Sequence, residues 1–247
     1  MKKTILVTGA AGGIGIGISK HLAANGWKVG MVDINSELPN IAASLEGEIA
    51  TAICDVRESE QVDAAITTIE ATLGPIDALI NNAGLVANIK SIGKMSDYRW
   101  NNEVAVNLSA VFYFIRRLAP KMAERGWGRI INISSGAARS GLPAQIGYAA
   151  TKSALWGITS TTAAEFGPKG ITCNSILPGL IGTPNVLSMP KNILEFGKQS
   201  NSVKRIGEVE EIAYLVAFLC SEQTGFITGA EIDIDGGLRL NNTSLTR

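Results

Sequence analysis

The chain has 247 residues, 46% of them hydrophobic, and 22 basic side chains balance 22 acidic ones for a formal net charge of zero. That length and composition suit one α/β domain with a substantial core, expected to span residues 1–247. Lys and Arg are scattered along the chain rather than gathered in a stripe, which argues against nucleic acid or an anionic membrane as a partner.

Cys54, Cys173 and Cys220 lie far apart with no C-x-x-C pair, so buried reduced thiols are expected rather than disulfides or a thiolate metal site. No H-E-x-x-H or acidic cluster suggests a metal either. The start, Met-Lys-Lys-Thr-Ile-Leu-Val, begins like a secretory segment. Its apolar run stops after three residues at Thr8-Gly9, short of the ~7 to 15 such a segment needs. With no run of ~18 apolar residues elsewhere, the expected location is the cytoplasm.

In chain order, short apolar or β-branched runs at Ile5 to Val7, Val29 to Val32, Ile49 to Ile53, Ala78 to Ile80, Ile130 to Ile133, Ile171 to Leu177 and Glu231 to Ile234 predict strands. Helical patterns alternate with them. Ile14 to Ala24 ends at Asn25-Gly26, and Ser59 to Leu73 carries apolar residues at Val62, Ala65, Ile66, Ile69 and Leu73. Asp97 to Arg125 and Tyr148 to Phe166 predict longer helices, each closed by a glycine, and a further helix is expected near Glu208 to Leu219. The alternation predicts repeated βαβ units: a doubly wound parallel sheet of about seven strands with helices on both faces. Leu180 to Arg205, rich in Pro, Asn, Ser and Met, breaks the rhythm and is expected to be an irregular substrate lid, with a plain insertion as the alternative.

Thr8-Gly9-Ala10-Ala11-Gly12-Gly13-Ile14-Gly15 follows the first strand and opens the first helix. Glycines there let backbone N–H groups and the positive helix end approach a pyrophosphate. The spacing is G-x-x-x-G-x-G rather than the usual dinucleotide G-x-G-x-x-G, and a tight strand-to-helix turn alone would show the same glycines. Asp33, about 20 residues on at the end of the second strand, stands where a carboxylate bonds ribose hydroxyls. It repels a 2′-phosphate, and Ala10 to Ile14 and Ile34 offer no Lys or Arg, so NAD is expected over NADP.

Tyr148 and Lys152 sit four residues apart, one turn along a helix face. Alone, such a pair is weak and fits an exposed surface pair. Chemically it makes sense, because a free Tyr titrates near about 10, too high for a base at neutral pH, and a fixed cation stabilises the phenolate.

With these motifs in order, the chain resembles the short-chain dehydrogenase/reductases from end to end. The match rests on the glycine turn, Asp55-Val56, Asn81-Asn82-Ala83-Gly84, Asn107, Ile133-Ser134-Ser135, Tyr148-Ala-Ala-Thr-Lys152, Pro178-Gly179 with Thr183, and Asp235-Gly236-Gly237. The resemblance implies a Rossmann-like fold and a catalytic set of Asn107, Ser135, Tyr148 and Lys152. Ser135 lies 13 residues before Tyr148, whereas Ser134 alternates to the other side of the strand. It also implies that Tyr148 exchanges the substrate proton, Ser135 bonds the substrate oxygen, Lys152 lowers the tyrosine pKa and bonds the nicotinamide ribose, and Asn107 holds a relay water. The implied NAD contacts are Gly9, Gly12, Gly13, Ile14, Gly15 and Asp33 at the phosphate and ribose; Asp55 and Val56 at the adenine; Asn82, Ala83 and Gly84 along the adenosine; and Pro178, Gly179, Ile181 and Thr183 at the carboxamide, beside Tyr148 and Lys152. Asn81 and Asn82 alone would fit an ordinary strand-end turn. Two departures are Gly12, where relatives often carry Ser, Asn or a basic residue, and Pro184, which restricts the lid hinge.

By the same resemblance, Leu85, Val86, Ala137, Ala138, Leu142, Pro143, Leu180, Val186, Leu187 and Met189 face the substrate. They favour a hydrophobic, aryl or alicyclic, secondary alcohol or ketone. Arg139 is the one nearby cation, and a solvated surface role is expected for it. The alternatives are a 3-oxoacyl thioester reductase or 3-hydroxyacyl dehydrogenase, and, from another class, a non-catalytic NAD-binding regulator. A hydrolase is not expected, since the single histidine, His21, sits in the first helix as a surface residue and no G-x-S-x-G elbow occurs. The resemblance further implies a homotetramer, joined through the helices near Ala105 to Ala119 and Ala149 to Phe166 and through the last strand with its preceding helix.

Overall fold

The computed structural model describes residues 2–86 and 89–240. Seven strands, β1 (Thr4–Thr8), β2 (Lys28–Asp33), β3 (Ile49–Ile53), β4 (Ile76–Asn81), β5 (Gly128–Ile133), β6 (Ile171–Pro178) and β7 (Glu231–Ile234), pair in the order β3-β2-β1-β4-β5-β6-β7. Every pairing is parallel. The sheet is the doubly wound, Rossmann-like one expected, and each anticipated apolar run supplies a strand.

Side-chain alternation divides each strand between two cores. Ile5 and Val7 of β1 face a cluster with Ile18 and Leu22 of α1 (Gly13–Ala24), Leu38 of α2 (Leu38–Ala43), and Ile212 and Val216 of α10 (Val209–Leu219). Leu6 faces the other cluster, with Val62 and Ile69 of α3 (Ser59–Leu73), Phe114 and Leu118 of α5 (Ala110–Glu124), and Leu155 of α7 (Ile146–Phe166). Each fully buried Leu, Ile or Phe among them contributes roughly 1.5 to 3 kcal/mol by leaving water. Cys54, Cys173 and Cys220 are buried free thiols in these clusters.

The chain departs from the expected elements in four places. Asp97 to Arg125 is α4 (Asp97–Val104), a π-helical turn at Ala105–Ser109, and then α5. The single π-turn leaves the apolar periodicity nearly intact, which is why the pattern reads as one helix. α2 and α6 (Ala137–Ser140) are too short to show a period. Leu180 to Arg205, expected to be irregular, carries α8 (Pro184–Leu187) and α9 (Lys191–Ser200). The cause lies at Thr183, whose hydroxyl accepts the Val186 N–H at 3.3 Å, and at Pro184, whose missing N–H matters least in the first turn. Pro184 therefore starts a helix.

β1 lies between β2 and β4, so the chain winds away from it in both directions. In such sheets the crevice beyond the carboxyl ends of the central strands is the binding position.

Candidate active site

The glycine turn leaves β1 at Gly9, whose φ of +65° and close approach to Ala83, 2.7 Å from a would-be Cβ to its Cα, both require glycine. Asn82 braces the turn: its Nδ2 donates to the carbonyls of Thr8 and Gly9 at 3.0 Å each, while the Thr8 hydroxyl accepts the N–H groups of Asn82 and Ala83. α1 then opens at Gly13, against which Thr183 packs so closely that a Cβ would lie 2.8 Å from its side chain. Thr183 and Pro184 thus rest on the glycine turn.

Asp33 is held by two backbone donors, Ala11 N–H to Oδ2 at 2.9 Å and Asn35 N–H to Oδ1 at 3.0 Å. A carboxylate accepts about four hydrogen bonds, so two positions stay available for a ribose diol. Asp33 borders a cavity of about 290 Å³ lined also by Gly9, Ile34, Asp55, Val56, Ala83 and Gly84. Arg57 enters the same cavity, a cation that sequence reasoning missed because nothing in the motif singles it out. A carboxylate with open acceptor positions, a close-approach glycine turn and a helix N-terminus fit a nicotinamide dinucleotide.

At the other end of the crevice, β5 and α7 bring Ser135, Tyr148 and Lys152 together. Lys152 is buried among the helix and sheet, and its Nζ donates to the Ile133 carbonyl at 2.6 Å. That nitrogen lies 5.8 Å from the Tyr148 ring centre. Ser135 Oγ accepts the Ala137 N–H at 3.1 Å and hydrogen-bonds the Tyr148 phenol. Ser134 faces the other way, as alternation predicts, and donates to the Lys152 carbonyl at 3.0 Å. Gly84 completes the cluster, since a Cβ there would lie 3.5 Å from Lys152 Nζ and 3.7 Å from Asn107 Oδ1.

In the chain itself, burial pushes the Tyr148 phenol up, and the Ser135 hydrogen bond only partly offsets this. Burial also pushes the Lys152 ammonium down to about 8. Lys152 sits beside the phenol but does not bring it below its ordinary value.

Asn107 lies in the π-turn, fully buried. Its Oδ1 accepts the Leu85 N–H at 2.7 Å, and its Nδ2 donates to the Leu85 carbonyl at 3.0 Å and to Thr151 Oγ1 at 3.3 Å. The side chain therefore clamps the segment after β4 onto α7. Asn81 belongs to a different network, donating to Asn132 Oδ1 at 2.8 Å; Asn132 donates to Thr159, which shares a hydrogen bond with Ser175. Asn81 is thus a buried cross-strand tie rather than a turn residue.

Pro178 and Gly179 end β6 and are pinned by Gly136 N–H to the Pro178 carbonyl at 3.1 Å and by Gly179 N–H to the Ile234 carbonyl at 3.0 Å. Ile181 is buried and bridges to Gly207. Val86, Leu142, Leu187 and Met189, expected to face the substrate, are exposed, as are Ile193 and Phe196 of α9, which the sequence reading overlooked despite their i, i+3 spacing. Arg139 is a surface residue whose guanidinium pairs with Glu231 and Asp233 of β7. His21 packs edge-on against Tyr214, ring centres 4.9 Å apart, in the α1–α10 contact.

A family model described as enoyl-(acyl carrier protein) reductase matches residues 9–239. The chain is 40% identical to Nodulation protein G of Azospirillum brasilense, covering 96% of this chain and 98% of that protein. It is 39% identical to an acetoacetyl-CoA reductase of Rhizobium meliloti (strain 1021), with the same coverage of 96% and 98%. A variant of a Serratia marcescens short-chain dehydrogenase/reductase superposes with a TM-score of 0.90 at 32% identity, over 96% of this chain and 98% of that one. The chain belongs to the short-chain dehydrogenase/reductases. As a member of that family it is an oxidoreductase. Two further solved members, levodione reductase at 33% identity (95% and 96% covered) and ElxO with NADP bound at 29% (97% and 99% covered), each superpose with a TM-score of 0.90. Among the described residues no helix is long and apolar enough to cross a membrane.

Proposed function

We propose that this short-chain dehydrogenase/reductase interconverts a hydrophobic secondary alcohol and its ketone with NAD, and that residues 1–247 act as one catalytic domain. The observation that carries the reading is the convergence of Ser135, Tyr148, Lys152 and Asn107 beside a crevice whose far end is bordered by Asp33. When bound, the nicotinamide ring accepts or donates the hydride.

The chain's own residues handle the proton and the orientation. Tyr148 takes the alcohol proton in oxidation and returns it to the ketone oxygen in reduction, while the Ser135 hydroxyl holds the same oxygen. Lys152, anchored on the Ile133 carbonyl, turns its other donors toward the cofactor ribose and the phenolate. Because burial raises the Tyr148 pKa, the positive charge of the oxidised nicotinamide is the natural source of the lowering that a base requires. Asn107 acts through the Leu85 segment and its π-turn, since its side-chain amide is committed there.

Gly9 to Gly15 and the N-terminus of α1 would receive the pyrophosphate, Asp33 the adenosine ribose, Asp55 and Val56 the adenine, and Pro178 to Thr183 the carboxamide. NAD is favoured by the Asp33 carboxylate, even though the related ElxO binds NADP. The apolar mouth favours an aryl or alicyclic substrate, in line with levodione reductase among the neighbours. A 3-oxoacyl thioester is the second reading, favoured by the acetoacetyl-CoA reductase relative. We also propose a homotetramer, supported by exposed Phe112 and Trp156 on α5 and α7 and by exposed Phe218 and Phe226 near β7, and a cytoplasmic location, supported by three buried free thiols.

A panel of aryl and alicyclic alcohols, steroids and 3-hydroxyacyl thioesters, run with NAD and with NADP, tests the reading. Fastest turnover of apolar alcohols with NAD is expected. Fastest turnover of thioesters, or with NADP, overturns it. Light scattering that returned a mass of 26.0 kDa in solution would refute the tetramer.

A further inference from the structure

Arg57 is the one cation among the described residues lining the cavity at the Asp33 end. Its Nε donates to both oxygens of Asp55 at 2.9 and 3.0 Å, its Nη2 donates to Oδ2, and its backbone N–H donates to Oδ1 at 3.0 Å. The remaining arm, Nη1, crosses to α4 and donates to Asn102 Oδ1 at 2.8 Å. Asp55, Arg57 and Asn102 all line the cavity, so the guanidinium spans it from the end of β3 to α4.

An exposed pair this close in sequence contributes little to folding. Here the Asp55 side chain is only 15% exposed, and the guanidinium fork is fixed at its far end. What the arrangement sets is direction. Three N–H donors make four hydrogen bonds to the carboxylate, two on each oxygen, and hold it in one orientation at the cavity wall. Arg57 is itself engaged, so its charge is not presented to a 2′-phosphate.

We propose that Arg57 is a positioning residue for the adenine end of the dinucleotide, fixing the Asp55 carboxylate and closing the cavity between the end of β3 and α4. The proposal rests on reading this cavity as the adenosine subsite. It predicts that Arg57 strengthens binding of the adenosine half whether or not a 2′-phosphate is present.

Isothermal titration of the full chain with NAD, ADP-ribose and 2′-phospho-ADP-ribose tests it in Arg57→Ala, Arg57→Lys and Asn102→Ala. Arg57→Ala should weaken NAD and ADP-ribose by about 10-fold and the 2′-phosphorylated ligand by the same factor, with kcat at saturating NAD within about twofold of wild type. Arg57→Lys, which cannot form the fork, should recover only part of the loss. Asn102→Ala, which removes only the far anchor, should cost about threefold. Unchanged ADP-ribose affinity in Arg57→Ala overturns the proposal, and so does a loss confined to the 2′-phosphorylated ligand, which would make Arg57 a phosphate contact. If wild type binds neither NAD nor ADP-ribose, the cofactor reading itself falls and takes the proposal with it.

Discussion

Lys152→Met should make the protein more stable while abolishing turnover. Lys152 is buried with no carboxylate among its hydrogen-bond partners, and burial depresses its ammonium from 10.5 to about 8. A depression of that size corresponds to roughly 3 kcal/mol that folding loses by carrying the charge into the core. Below pH 8 the folded chain keeps this proton and bears the whole penalty. Between about 8 and 10.5 the folded state releases it while the unfolded chain retains it, so stability rises with pH across that window. Methionine matches the length of the lysine stem and removes the charge, but it leaves the Ile133 carbonyl without its 2.6 Å donor, a loss of about 1 kcal/mol or more. The net gain is then about 1 to 2 kcal/mol at pH 6.5, or roughly 2 to 8 °C in Tm for a chain of this size. Urea unfolding of wild type and variant at pH 6.5 and 9.5, without added cofactor, measures both terms. The advantage of Lys152→Met should shrink at the higher pH. A variant less stable than wild type at pH 6.5, or an advantage equal at both values, would refute the reasoning.

Tyr148→Phe should lower kcat by about 10² to 10⁴ while NAD binding, followed by titration, stays near wild type; retained turnover would remove the phenol from the mechanism. Asp33→Asn keeps an acceptor for the Ala11 N–H but removes the charge, so the kcat/KM ratio of NADP to NAD should rise at least about 10-fold. A ratio that does not move means that Asp33 does not set the preference. Gly147→Ala places a Cβ 2.0 Å from Glu103 Oε2, so thermal melts should show a loss of about 1 to 3 kcal/mol, and Glu103→Ala in the same chain should restore most of it. A neutral single variant would show that α4 and α7 are not packed that closely.

Much of the fold was legible because the strands of a parallel sheet are covered on both faces and read as bare apolar runs, as at Ile130 to Ile133. The four residues expected to be catalytic were legible through short motifs on separate elements, and the fold gathers them at one crevice. Other features were hidden for definite reasons. The π-turn at Ala105–Ser109 adds one residue to a helical turn and barely disturbs the apolar period, so Asn107 reads as an ordinary helix position. α8 depends on a single threonine hydroxyl and a proline, a signal buried in a Pro- and Ser-rich stretch that otherwise reads as loop. Arg57 carries no motif at all, and its place becomes visible only when the end of β3 meets α4.

Ser134 shows how much more than alternation is built into the position next to Ser135. Alternation set it aside because it points away from Ser135, and it does. In pointing away it grips the Lys152 carbonyl, while the preceding residue, Ile133, grips the Lys152 ammonium through its own carbonyl. The last residue of β5 and the one that follows it thus hold both the side chain and the backbone of one residue on α7. Ser135, the next residue along, bonds the phenol one turn earlier on the same helix. The relative placement of Ser135, Tyr148 and Lys152 is therefore a property of one strand–helix contact, buttressed by the Asn81, Asn132, Thr159 and Ser175 ties beneath it. A site mounted this way keeps its geometry when the exposed apolar residues Leu142, Leu187, Met189 and Phe196 change, because they belong to segments outside that contact. In the proposed function the chemistry rests on this strand–helix contact, and substrate choice falls to the exposed segments.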